Sequence, residues 1–149
     1  MLTTAPEKPF CRQVCKPIWK NGGGVCRPHL RGIYMKDIFT APFVEKMKET
    51  TANMYRLGWD ERNGGNISYL LDEDEVAEYL DISKVIRTIP TGFDAKPLIG
   101  KIFIVTGTGK YFKNVEKDPE DNLGVVRIAS DGTTAELLWG FRDGGSFTS

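Results

Sequence analysis

From Thr40 onwards, apolar residues recur at helical spacing. Phe43, Met47, Met54 and Leu57 follow one face, Thr40 stands where a cap is needed, Pro42 suits a first turn, and Gly58 supplies a left-handed stop. The pattern predicts one long early helix. A turn-rich stretch follows, Trp59-Asp60-Glu61-Arg62-Asn63-Gly64-Gly65-Asn66, and then 67–71 reads as a strand. Residues 72–81 are acidic and predict a short exposed helix. The segments 85–89 and 101–106 read as strands, the second nearly all apolar and therefore buried on both faces. Two more strands, 125–129 and 135–139, flank Ser130-Asp131-Gly132-Thr133, a hairpin signal. With no helix between them, these two must run antiparallel. The expected fold is α/β with a mixed, largely antiparallel central sheet.

Composition narrows the class. The 149 residues are 40% hydrophobic and 27% charged, as in an ordinary soluble globular protein. No run approaches the roughly eighteen apolar residues of a membrane span. Equal numbers of basic and acidic residues give no overall attraction to nucleic acid or anionic lipid, so neither is an expected partner. The neutral sum conceals a division. Residues 1–34 carry six Lys and Arg against the single acid Glu7, whereas 35–149 carry fourteen against nineteen acids. All three cysteines (Cys11, Cys15, Cys26) and the only histidine, His29, also lie in the first stretch. Two pieces are expected: a basic leader over 1–34, either poorly ordered or an over-extended start, and a folded domain over 35–149. The leader lacks the apolar run of a secretory signal, which points to the cytoplasm. Cys11-x3-Cys15-x10-Cys26-x2-His29 has donors for a tetrahedral zinc. Lys16-Pro17, Gly22-Gly23-Gly24 and Arg27-Pro28 interrupt any regular element there, and unpaired thiols are the better reading.

Two glycine turns carry the candidate chemistry of the domain, Asn63-Gly64-Gly65-Asn66 and Thr106-Gly107-Thr108-Gly109-Lys110. Paired glycines let backbone N–H groups converge on an anion, and neighbouring amides and hydroxyls add neutral donors. Neither turn is a P-loop, since Ile104 stands where the leading glycine belongs and Tyr111 where a hydroxyl is needed. Each taken alone reads first as a tight connection needing positive φ, and two in one domain strengthen the case for an anion site. Catalytic groups are scarcer. The absence of histidine after His29 excludes a Ser-His-Asp triad or a histidine metal site from 35–149. Asp60, Glu61 and Arg62 read as structural ion pairing, and Asp72-Glu73-Asp74-Glu75 as a solvated face. Lys110 is expected to be exposed or to meet phosphate rather than to form a Schiff base. Trp59 and Trp139 read as core or interface aromatics.

Four segments together carry a resemblance. They are Gly58 through Asn66; Ile104-Val105-Thr106-Gly107-Thr108-Gly109-Lys110-Tyr111-Phe112-Lys113-Asn114-Val115; Asn122-Leu123-Gly124-Val125-Val126; and Leu138-Trp139-Gly140. From about Asp37 to Ser149 the chain resembles the N-terminal half of the class II, zinc-dependent aldolase family. The resemblance implies a three-layer αβα fold, cut after its N-terminal half, and a small phosphosugar substrate cleaved at a carbon–carbon bond. In the intact family enzyme zinc stabilises the enediolate left by cleavage and a glutamate exchanges protons. The family is usually homotetrameric. Matched residue by residue, the resemblance assigns substrate phosphate binding to Asn63, Gly65, Asn66, Thr108, Thr148 and Ser149. It assigns no catalytic and no metal residue here, because the family's glutamate follows immediately after Ser149 and its zinc-binding histidines lie further on. The chain is therefore expected to hold a phosphate cradle and to be inactive alone. A sheet cut partway also exposes an edge and an apolar face near 101–106, so instability or self-association is expected. Two alternatives remain beside this reading: a non-catalytic phosphosugar-binding module, and a zinc-binding interaction element in 1–34.

Overall fold

The computed structural model describes residues 34–59 and 64–147. The long helix, α1, runs Pro42–Arg56 with Pro42 in its first turn, Glu45 near its N-terminus and Arg56 in its last turn, charges that oppose the helix dipole. Gly58 takes φ +75 just beyond the C-cap Leu57, the left-handed stop expected of it. Thr40 does not cap α1. Its hydroxyl donates to the Asp37 carbonyl (2.7 Å) and closes a 3-10 turn, Ile38–Thr40, leaving Ala41 at the N-cap with no side-chain bond. The buried stripe is Phe43, Val44, Met47 and Thr51, while Met54 is half-buried and Leu57 exposed. Thr51 can be buried because its hydroxyl donates to the Met47 carbonyl (2.8 Å).

Five strands form one sheet: β1 (Ser68–Leu71), β2 (Arg87–Pro90), β3 (Ile102–Thr106), β4 (Leu123–Ile128) and β5 (Thr134–Gly140), in the order β1-β3-β4-β5-β2. All four pairings are antiparallel, so the parallel pair that a mixed sheet requires is not among the described residues. The described residues also form three short α-helices, α2 (Glu73–Ala77), α3 (Phe112–Val115) and α4 (Pro119–Asn122). The acidic segment forms a shorter helix than the expected 72–81, and Glu75 is half-buried where a solvated face was expected. Asp72 caps α2 by accepting from the Asp74 N–H (3.0 Å), and Asp72, Glu73 and Asp74 face solvent.

Alternation along the strands sorts the core into two clusters, one on each face of the sheet. Ile102 and Ile104 of β3 and Leu123 and Val125 of β4 join Phe43, Val44 and Met47 of α1, with Leu71, Val76 and Val115. The opposite face gathers Val105, Val126, Ile128, Ala135 and Leu137 with Ile89, Ala95 and Phe141. One irregularity matters. Val125 pairs with Trp139 and Val126 with Leu137, leaving Leu138 as an extra residue in β5. The bulge lets both Leu138 and Trp139 join the α1 side. The cluster beside α1 is closed by helices. Against the other cluster pack Phe103 and Phe147, and Ala95 joins it at the start of a one-turn 3-10 helix, Lys96–Leu98.

Candidate functional site

Antiparallel pairing brings the start of β1 beside the end of β3. Ser68 lies opposite Val105, and one step further Ile67 and Thr106 are tied three ways. The Ile67 N–H donates to Thr106 Oγ1 (2.9 Å), the Thr106 N–H donates to the Ile67 carbonyl (3.0 Å), and the Thr106 hydroxyl donates to that carbonyl (3.4 Å). Asn66 immediately precedes this knot and Thr108 follows it by two residues. The two glycine turns therefore emerge from neighbouring strands at one end of the sheet. Asn66 and Thr108 are exposed, and Gly65 is half-buried.

The second turn spends its amides on the fold. The Gly107 N–H donates to the Asn122 carbonyl (2.8 Å), the Thr108 N–H to the Ser146 carbonyl (2.8 Å), and the Lys110 N–H to the Gly107 carbonyl (3.2 Å). Gly109 takes φ +70, the conformation that made glycine the expected residue. The amides of Gly107, Thr108 and Lys110 thus point at carbonyls, where the sequence suggested an anion nest.

Lys110 is neither exposed nor free for a phosphate. Its ammonium donates to Asp143 (2.5 Å) and to Asp121 (2.9 Å), and its side chain is only 19% exposed. The hydrogen bond to Asp143, then that to Asp121, raises the lysine pKa above its ordinary value. The same bond, aided by the Gly145 N–H, lowers that of Asp143. A Schiff-base lysine must shed its proton, and these two carboxylates oppose that. The pairing fastens the turn after β3 to the loop after β5. Phe141 reinforces it: at φ +46, its ring lies over Gly124 and Gly107, where added Cβ atoms would approach ring carbons to 2.4 Å and 3.1 Å. Arg142 pairs with Asp118 (2.6 Å), and Arg87 of β2 donates to the Gly145 carbonyl.

Three of the six assigned phosphate residues, Gly65, Asn66 and Thr108, are thus described and lie at this end. Asn63, Thr148 and Ser149 lie outside the described residues, although Thr148 follows directly on Phe147. Asp60, Glu61, Arg62, Cys11, Cys15, Cys26 and His29 also lie outside them. Trp139 is a core residue at 7% exposure, whereas Trp59 is 65% exposed. Beside Asn66, Ser68 and Thr106 opens a cleft of about 200 Å³ with Phe93, Phe103 and Phe147 among its walls. Among the described residues no three His, Cys, Asp or Glu side chains converge to hold a metal ion, so the zinc implied by the resemblance has no fitting donor set in them. Sequence reasoning missed Asp121, Asp143, Phe141 and Ser146. A third glycine turn, Asp143-Gly144-Gly145, was the available signal.

Comparison with known proteins adds a second line of observation. No family model matches the chain. It is 64% identical over 114 residues to a rhamnulose-1-phosphate aldolase of Listeria monocytogenes, covering 76% of this chain and 42% of that protein. It is 58% identical over 107 residues to the enzyme of the same name from Enterococcus faecalis and 44% identical over 107 residues to that from Shigella boydii. These matches cover 72% and 71% of the chain and 38% and 39% of the relatives. The chain therefore spans about two fifths of the length of the curated relatives it matches. Among solved structures, a sugar-phosphate aldolase from Thermotoga maritima shares the fold, with a TM-score of 0.50 and 24% identity over 65% of this chain and 38% of that one.

Proposed function

Over about three quarters of its length this chain is a homologue of rhamnulose-1-phosphate aldolases, and on that premise we propose that it forms the phosphate-holding part of a class II aldolase. The substrate in this reading is L-rhamnulose 1-phosphate, cleaved reversibly to dihydroxyacetone phosphate and L-lactaldehyde in rhamnose breakdown in the cytoplasm. The observation that supports it is the knot between Ile67 and Thr106, which holds the loops of Asn66 and Thr108 at one sheet end. Phosphate is met there, in this reading, by neutral donors: the Asn66 amide and the Thr108 hydroxyl, with Gly65 beside Asn66, and Asn63, Thr148 and Ser149 carried over from the resemblance alone. Because the amides of Gly107, Thr108 and Lys110 are engaged, the second turn acts through its hydroxyl. Lys110, balanced by two aspartates, serves as a strut.

Cleavage needs a Lewis acid beside the forming enediolate and a carboxylate to exchange its proton. In this proposal both, zinc included, are held by polypeptide other than these 149 residues, and the chain alone is inactive. The assembled enzyme is proposed to be a homotetramer. Isothermal titration of the chain with dihydroxyacetone phosphate tests the cradle. Asn66→Ala is expected to weaken binding about tenfold, since a hydrogen bond to a charged group contributes roughly 1.5–3 kcal/mol. Incubation of the chain with zinc and L-rhamnulose 1-phosphate should release no lactaldehyde above background. Turnover by the chain alone, or binding unchanged in both Asn66→Ala and Thr108→Val, would overturn the proposal.

A further inference from the structure

The turn after β3, Thr106-Gly107-Thr108-Gly109-Lys110, holds two glycines, the residue with the widest backbone freedom. A hydroxyl on such a turn is pre-organised for a ligand only when groups outside the turn fix it. Anchors of that kind come from two segments, α4 and the loop after β5. The Gly107 N–H donates to the Asn122 carbonyl at the end of α4, and the Thr108 N–H donates to the Ser146 carbonyl. The Lys110 ammonium grips both segments at once, through Asp121 of α4 (2.9 Å) and through Asp143 (2.5 Å). Asp143 in turn accepts from the Gly145 N–H (3.0 Å), and the Asp121 N–H donates to Asp118 (3.3 Å). Two carboxylates on one ammonium leave a net negative charge close along the chain to Thr108, and that charge by itself opposes an approaching phosphate.

We propose that Lys110, Asp121 and Asp143 form a positioning triad that sets the phosphate affinity of the Thr108 turn without touching the phosphate. This rests on the phosphate reading above and deepens it, by naming what keeps the Thr108 hydroxyl in one place. Charge and geometry forecast opposite results for one substitution. Acting through charge alone, Asp143→Asn would remove a negative group and release the lysine, and phosphate would bind more tightly. Acting through geometry, Asp143→Asn loosens the turn, and phosphate binds more weakly.

Isothermal titration of the full 149-residue chain with dihydroxyacetone phosphate reads the difference. Lys110→Met and Asp143→Asn should each weaken binding about fivefold, the size of an ordinary coupling between groups in contact. Lys110→Arg should recover most of that loss. In a Thr108→Val background Lys110→Met should cost nothing further, because the triad acts through that hydroxyl. Glu136→Gln is the control. It discharges an ion pair of similar burial, Glu136 with Arg127, and Arg127 lies opposite Ile102 at the far end of β3 from Thr106. It should leave the affinity unchanged, whereas a general loss of stability would act on both pairs alike. Circular dichroism confirms the fold of each variant, and Asp121→Asn repeats the test from α4 should Asp143→Asn prove unfolded. A wild-type chain that does not bind the ligand would overturn the phosphate reading and this proposal with it. The triad's role alone would be overturned by wild-type binding that Asp143→Asn leaves unchanged or strengthens, by an undiminished effect of Lys110→Met in the Thr108→Val background, or by an equal loss from Glu136→Gln.

Discussion

At Gly140 the backbone turns through φ +90, and a Cβ would stand 2.0 Å from the Leu123 carbonyl oxygen. Gly58 has a similar φ of +75 but open space around it. The pair separates backbone strain from collision. Gly58→Ala should cost about 1–2 kcal/mol, the penalty of the left-handed region. Gly140→Ala adds overpacking of about 1–3 kcal/mol to a similar strain, and urea denaturation should show the larger loss. Lys110 and Asp143 offer a second residue-scale test, through pH. The folded pKa of Asp143 lies below its ordinary 3.8, so its contribution is complete above that value and disappears as the pH falls through the lowered one. Lys110 behaves oppositely: its folded pKa lies above 10.5, so its share is present below that value and lost as the pH rises through the raised one. Lys110→Met should therefore flatten the stability profile at both ends and change its middle only by a constant, as thermal melts across pH would show. The positive φ of Gly58 and Gly109 had a local reason in the sequence, since Gly58 stands just past a helix and Gly109 within a glycine-rich turn after a strand. The sequence could not reveal the destination of Lys110, whose partners stand 11 and 33 residues away.

Among the elements, α1 shows how far periodicity carries. The helix, its Pro42 start and its Gly58 stop were all legible, but the buried stripe follows Phe43, Val44, Met47 and Thr51 rather than reaching Leu57. The last turn runs beside α3, where Ala52, Tyr55 and Arg56 border a groove with Phe112 and Lys113. Phe43→Ala should cost about 3–5 kcal/mol in chemical denaturation, the range for deleting a buried aromatic ring. Tyr55→Ala, at a 47% exposed position, should stay nearer the roughly 0.5 kcal/mol of surface changes. The helices α3 and α4 were invisible beforehand, because four residues are too few to display a helical period. The β4–β5 hairpin was foreseen from its Asp-Gly turn. Its bulge at Leu138 was not, because an extra residue is seen only against a partner strand.

For the molecule as a whole, the exposed apolar side of the sheet sets behaviour in solution. Leu70, Phe93 and Leu98 should bind an environment-sensitive apolar dye, and Leu70→Glu with Phe93→Glu should lower that signal while the circular dichroism spectrum stays constant. A wild-type chain that leaves the dye dark and sediments as a monomer would show this face to be covered already. By itself the sequence determined the class of fold, the place of most strands, the early helix, and the two glycine turns. Those features follow from side-chain period and from backbone preferences that act within a few residues. Tertiary structure alone decided that both turns share one sheet end, that the second spends three of its amides on carbonyls, and that Lys110 is locked between two aspartates. It also decided which side of the sheet remains open. Each of these depends on strand order and on partners far along the chain, and no local pattern encodes which distant group arrives to satisfy a donor or to cover an apolar surface.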